Sequence, residues 1–229
     1  MSAPAARPLD EATWPDKLTA RVVAPGAEPA IQGYDVEGDL VRHYSFTETV
    51  FLAFTGRLPS TAEARAFEVA LTFACPAPVN EAPTHAAVLA RICMGTTSSI
   101  QGTAAVALAE QARLLVSAHA AWLDAPPGAT AAVPEGCRAR SDRERASVER
   151  LRRALRGTVD VPALAHDLSR PAAIMATLRA CGLRSDQIEC VLVFARLPVA
   201  TAEALAAPAG SYRDYPLLLP AIEYQDPPA

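Results

Sequence analysis

The chain has 229 residues and a mass of 24.1 kDa; 51% of its residues are hydrophobic, and its formal net charge is −4 with a pI near 5.6. That much apolar surface can build a sizeable core, whereas a mildly acidic chain lacks the basic patch that nucleic-acid binding requires. Five cysteines, Cys75, Cys93, Cys137, Cys181 and Cys190, fall singly and without paired short spacings, which excludes a zinc-ribbon or disulfide framework and reads as reduced thiols in a cytosol.

Residues 1–30 are Ala- and Pro-rich with mixed charge and read as an N-terminal extension. They hold no apolar h-region, so neither export nor membrane insertion is expected, and a cytoplasmic location is. Lys17 is the only lysine, a bias that goes with the many alanines and points to a GC-rich genome.

From residue 45 onward helix punctuation dominates. Ser45-Phe46-Thr47-Glu48 is a capping box, Phe46, Val50, Phe51 and Phe54 follow as an apolar stripe, and Gly56 ends the helix. Ser60-Thr61-Ala62-Glu63 repeats the device, with Ala66, Phe67, Ala70, Leu71 and Ala74 at helical spacing until Cys75-Pro76. The two helices are expected to form a hairpin through Gly56-Arg57-Leu58-Pro59.

Thr84 is expected to cap a third helix running through Ile92 and ending near Gly95. Ser98 or Ser99 opens a long alanine-rich fourth helix that reaches Trp122-Leu123 and is expected to be largely buried. Residues 124–140, with Pro126-Pro127-Gly128, Pro134 and Gly136, read as an interior loop, longer than compact folds favour.

Ser141-Asp142-Arg143-Glu144 is a third capping box, opening an arginine-rich helix to Arg156-Gly157 with a narrow stripe of Val148, Leu151 and Leu155. Helices over Pro171 to Cys181, with Gly182 as its cap, and over Ser185 to about Ala207, with an internal Pro198, complete the set. The tail from Pro216 to Ala229 reads as extended and Pro-rich. No alternating run of strand length competes, and no repeat or glycine-rich phosphate loop occurs, so the fold class is all-α.

Three stretches together resemble the citrate synthase and citryl-CoA lyase family. The first is Ile31-Gln32-Gly33-Tyr34-Asp35-Val36-Glu37-Gly38-Asp39-Leu40 with the capped helix from Ser45 through Leu58-Pro59; Gln32 stands where the family usually has arginine. The second runs from Ala195-Arg196-Leu197-Pro198-Val199 through Glu203. The third is Tyr212-Arg213 with Pro220-Ala221-Ile222-Glu223-Tyr224.

The resemblance implies the helical large domain of a citrate synthase-like fold over residues 31–229, with the small, coenzyme A-binding domain reduced or absent and residues 141–170 its remnant. It implies helical dimers, with Arg196 gripping a substrate carboxylate and Arg213 reaching the same ligand across the dimer. A guanidinium suits that task because its planar fork matches a carboxylate bidentately. Surface pairing of both arginines with acidic neighbours such as Glu203 or Asp214 is the alternative.

Family chemistry also needs a carboxylate base for the α-proton of the thioester, a histidine for the enolate and a second for the carbonyl. By position the first histidine is His119, but Ala120 and Ala121 replace the glycines expected after it, so it also reads as an ordinary helix histidine. Gln101-Gly102 is a second placement, in which the histidine is replaced outright. The Pro-Gly-x-Gly-His element of the second histidine occurs nowhere, and His166 lacks every flanking glycine. The base is expected where Arg170-Pro171 stands, and Asp160 would need a shift of a helical turn or more. His43, between Arg42 and Tyr44, can line the cleft, while His85 suits a cap.

These residues imply a family-like protein without the standard catalytic set. Either it is a non-catalytic subunit, a homodimer or the partner of a full-length relative, that binds a di- or tricarboxylate. Or it is an enzyme of altered chemistry on a small polycarboxylate or its coenzyme A thioester, using His119 and the two arginines. A third reading is a purely structural helical module. No metal site and no resident cofactor are expected; coenzyme A would enter as a substrate thioester.

Overall fold

A computed structural model of the chain describes residues 17–123 and 133–210. Residues 1–16 of the extension, the first half of the 124–140 loop, the third resembling stretch with Arg213, and the Pro-rich tail lie outside the described residues. The described residues carry eight α-helices and one small sheet, arranged in two compact units, Met1–Pro59 and Ser60–Ala229.

In the first unit, three two-residue strands form an antiparallel meander: β1 (Val23–Ala24), β2 (Ala30–Ile31) and β3 (Tyr34–Asp35). Ala30 faces Ala24 and Asp35, and Ile31 faces Val23 and Tyr34. The β2–β3 turn is Gln32-Gly33, with φ of 52° and 85°, the double left-handed turn whose twist matches that of paired strands. Strands this short carry no alternation, so the all-α reading gains this small sheet. Asp35 then accepts the Gly38 N–H at 2.6 Å over a π-helical turn, Val36–Leu40. A Cβ on Gly38 would lie 3.3 Å from the Asp35 carboxyl group.

After the short α1 (Val41–His43), α2 (Phe46–Thr55) carries the complete capping box: Ser45 Oγ accepts the Glu48 N–H, and Glu48 accepts the Ser45 N–H at 2.8 Å. Gly56 ends it at φ 76°. Phe51 and Leu52 are fully buried, and the Arg57 guanidinium lies 5.2 Å from the Phe51 ring centre. The boundary between the units falls in the linker read as a hairpin turn.

The second unit begins with α3 (Thr61–Ala74), opened by an equally complete Ser60/Glu63 box. α4 (Ala82–Ile92) starts earlier than Thr84 suggests. Glu81 is its N-cap, Pro83 fits the first turn, and the buried Thr84 hydroxyl donates instead to the Ala77 carbonyl at 2.9 Å. α5 (Thr97–Leu123) likewise starts ahead of Ser98, because Thr96 Oγ1 accepts the Ser99 N–H. It is not largely buried. Ile100, Ala104, Leu108, Ala112, Val116, His119 and Leu123 form one buried row, while Val106 and Leu114 are 68% and 59% exposed.

α5 packs on α4 and on α8 (Ser185–Ala206), and small residues at the contact, Ala87, Ala104, Ala200 and Ala204, let the three helices approach closely around Val88, Ile92, Ile100 and Leu108. Each such aliphatic side chain contributes about 1.5–3 kcal/mol on burial. α7 (Arg170–Ala180) is buried continuously from Ala172 to Leu178 and contacts α3, α5, α6 and α8, as expected of a helix apolar on every side.

α6 (Asp142–Ala154) buries the expected stripe of Val148, Leu151 and Leu155. Its capping box is only half formed. Ser141 Oγ accepts the Glu144 N–H, but the Glu144 carboxylate turns to the N–H groups of Arg140 and Arg170, both at 2.9 Å. With the Arg138–Leu168 bridge and the Ser169 N–H on the Cys137 carbonyl, it staples the end of the loop to the start of α7.

Candidate functional site

Arg196 is brought into a polar cluster made by three helices of the second unit. Its Nη1 donates to Gln111 Oε1 of α5 at 2.6 Å, its Nη2 pairs with Glu81 at the start of α4, and Gln111 Nε2 donates to the same Glu81 oxygen at 3.2 Å. The Pro76 carbonyl accepts a further 3.4 Å contact from Nη2. The guanidinium side chain is 15% exposed and that of Glu81 34%. Arg196 Nε is buried and has no hydrogen-bond partner among the described residues.

Arg196 is thus paired, but not as a surface arginine with an acidic neighbour. Its partner is Glu81, 115 positions away, and not Glu203 on its own helix. Neither Glu81 nor Gln111 is distinguished in the sequence, because only the α4–α5–α8 packing brings them together. An arginine aligned with a carboxylate-binding position was the only available signal.

His119 is 6% exposed on the buried row of α5. Its Nδ1 lies 2.7 Å from the Leu115 carbonyl; a carbonyl only accepts, so Nδ1 carries a proton. Nε2 is buried with no partner among the described residues. Gln111 and His119 are eight residues apart on α5, about 12 Å along the axis, so the Arg196 cluster and His119 do not share one hydrogen-bonded site.

The place expected for the base holds Arg170-Pro171, and Arg170 is the ionisable residue of the two. Its guanidinium donates to the Phe73 carbonyl and lies 6.0 Å from the Phe73 ring centre, and its N–H is held by Glu144. Ser169 caps α7 by accepting the Ala172 N–H. Asp160 is exposed, as is Gln101 near the start of α5. His43 is an exposed residue of α1 in the first unit, and Arg213 lies outside the described residues.

His166 is exposed and lines a surface pocket of about 470 Å³ with Arg145, Glu149, Arg152 and Asp167. The pocket is neutralised from within. Arg145 donates to Asp167 and Asp142, which hold its guanidinium above the usual range, and Arg152 pairs with Glu149 and the Leu164 carbonyl. Burial raises the thiol of Cys137. Among the described residues no three His, Cys, Asp or Glu side chains are grouped to hold a metal ion, and no helix is long and apolar enough to cross a membrane.

No protein-family model and no curated protein matches the sequence. Among solved structures, citryl-CoA lyase from Hydrogenobacter thermophilus is similar to this chain at a TM-score of 0.69 and 17% identity, over 93% of this chain and 96% of that one. ATP citrate lyase from Methanothrix soehngenii, in complex with citrate and coenzyme A, gives a TM-score of 0.62 at 11% identity. A Methanosaeta concilii ATP citrate lyase in complex with (3S)-citryl-CoA gives 0.61, also at 11%. Both likenesses cover 93% of this chain and 43% of the larger one. The chain thus has the mostly helical fold of a citryl-CoA lyase, as the three resembling stretches imply.

Proposed function

We propose that this chain, built on the citryl-CoA lyase fold, is a subunit without the standard catalytic set that binds a di- or tricarboxylate and works as a homodimer or as the partner of a full-length family member. Arg170 carries this reading. A base that removes an α-proton must be a free acceptor, and where the resemblance expects it the chain has a permanently protonated guanidinium tied to Phe73. His119, sealed in the core with Nδ1 on the Leu115 carbonyl, supports the same view. Residues 141–170 are the remnant of the small domain, held to α7 by Glu144. The work is cytoplasmic and needs no resident cofactor.

The partner surface is the outer side of α5, where Val106 and Leu114 are exposed two turns apart with the small residues Gly102, Ala118 and Ala121 also exposed. Exposed apolar groups gathered on one helix suit a protein contact. The chain isolated from its own cells under native conditions should have the mass of a dimer or of a complex with a full-length relative. A strict monomer would count against the reading. Citrate or oxaloacetate should raise its melting temperature.

One observation favours a second reading, an active enzyme of altered chemistry: a carbon–carbon lyase, decarboxylase, hydrolase or acyltransferase acting on a small polycarboxylate or its coenzyme A thioester. The likeness spans 96% of the Hydrogenobacter thermophilus lyase, so a short chain is shared with a protein named as a lyase. Turnover abolished by His119→Ala and Arg196→Ala would favour this reading, and turnover surviving both would sink it.

A further inference from the structure

We propose that Glu81 is an internal carboxylate that holds the fork of Arg196 closed, and that a ligand carboxylate enters this site by displacing it. The inference rests on the reading of Arg196 as a carboxylate-binding residue and adds how that site is regulated. Three observations carry it.

First, the Glu81 carboxylate already engages the fork of Arg196, paired with Nη2 and steadied by Gln111 Nε2 at 3.2 Å. Second, the pairing leaves a donor unused. Arg196 Nε, beside Nη2 on the same edge of the guanidinium, is buried without a partner among the described residues. A ligand that accepts from Nε and Nη2 together makes the side-on bidentate contact that Glu81 does not make.

Third, the helix that Glu81 begins does not hold its side chain. Its backbone is extended at the N-cap of α4 (φ −92°, ψ 140°), its side chain makes no cap hydrogen bond, and it is 34% exposed. Swinging into solvent therefore costs the helix no cap, and the carboxylate stays near the favourable N-terminal end of α4. Gln111, which bonds both partners, remains to orient the incoming group. The ligand class is a small polycarboxylate.

An intramolecular competitor lowers apparent affinity by the fraction of molecules in which it is displaced. If that fraction is one in ten or less, Glu81→Gln, which removes the ion pair and keeps the shape, should bind citrate at least about tenfold more tightly than the native chain. Glu81→Ala should lose about 5 °C in melting temperature and regain it as citrate fills the vacated position. Arg196→Ala in the Glu81→Gln background should abolish the gain.

Titration calorimetry and thermal melts with citrate as probe read all of these. Equal citrate affinity in the native chain and Glu81→Gln, both lost on Arg196→Ala, would overturn the lock while leaving Arg196 as a carboxylate site. Failure of citrate to bind either folded protein would overturn both. Tight binding that survives Arg196→Ala would overturn the assignment of the site.

Discussion

Arg196 on α8 and Glu81 at the start of α4 form a largely buried ion pair across 115 positions of sequence, bridged by Gln111 of α5. The cluster ties together the three helices that share the alanine-rich core. Its energy lies between that of a surface pair and a fully buried one, because Glu81 is a third exposed.

Arg196→Ala should therefore destabilise the chain by about 2 kcal/mol, between the surface and buried limits. Urea titration should show a lower midpoint at an unchanged slope. Arg196→Lys should recover only part of the loss, since an ammonium lacks the fork that reaches Gln111 and Glu81 together.

The end of α4 holds an unusual cap. Met94 sits at φ 62° where helices generally place glycine; its N–H donates to the Arg91 carbonyl and the Gly95 N–H to the Ala90 carbonyl. α7 uses the same pair of bonds with Gly182 at φ 88°. Met94 is 71% exposed, so Met94→Gly sacrifices little packing and should stabilise the chain by about 0.5–1 kcal/mol. Gly95→Ala should do the reverse, because its Cβ would lie 2.7 Å from the Ala90 carbonyl oxygen. Thermal melts of the two variants should move in opposite directions.

Glu144→Ala should cost more than Glu48→Ala, although both sit in capping-box positions. Glu48 satisfies its own cap, whereas Glu144 accepts two N–H groups, one of them, at Arg170, 26 positions away. Losing both should cost about 1–3 kcal/mol, against about 1 kcal/mol for Glu48. Hydrogen exchange should speed up at Arg140 and at the start of α7 in the first variant only.

His119→Leu should be nearly neutral or stabilise by up to about 1 kcal/mol, because it removes a buried polar ring nitrogen that has no partner among the described residues and keeps the volume. A loss above about 2 kcal/mol in chemical denaturation would mean that Nε2 has a partner after all.

Local punctuation was legible where its chemistry is local. Ser45 with Glu48, Ser60 with Glu63, and the left-handed Gly56 and Gly182 stand where the sequence puts them. It misled where a side chain answered to a distant element. Thr84 bonds Ala77 rather than capping α4, and Glu144 leaves its cap for Arg170. The Gln32-Gly33 hairpin escaped because two-residue strands show no period. Arg196 was legible as a cation worth following; its partners were not, since packing alone brings Glu81 and Gln111 to it.

The most direct test of the central claim is incubation of the purified chain with citryl-CoA while acetyl-CoA and oxaloacetate release is followed. With Arg170 in place of a base and His119 sealed in the core, no release above the uncatalysed rate is expected from the chain alone. Release that is lost on His119→Ala would contradict the account.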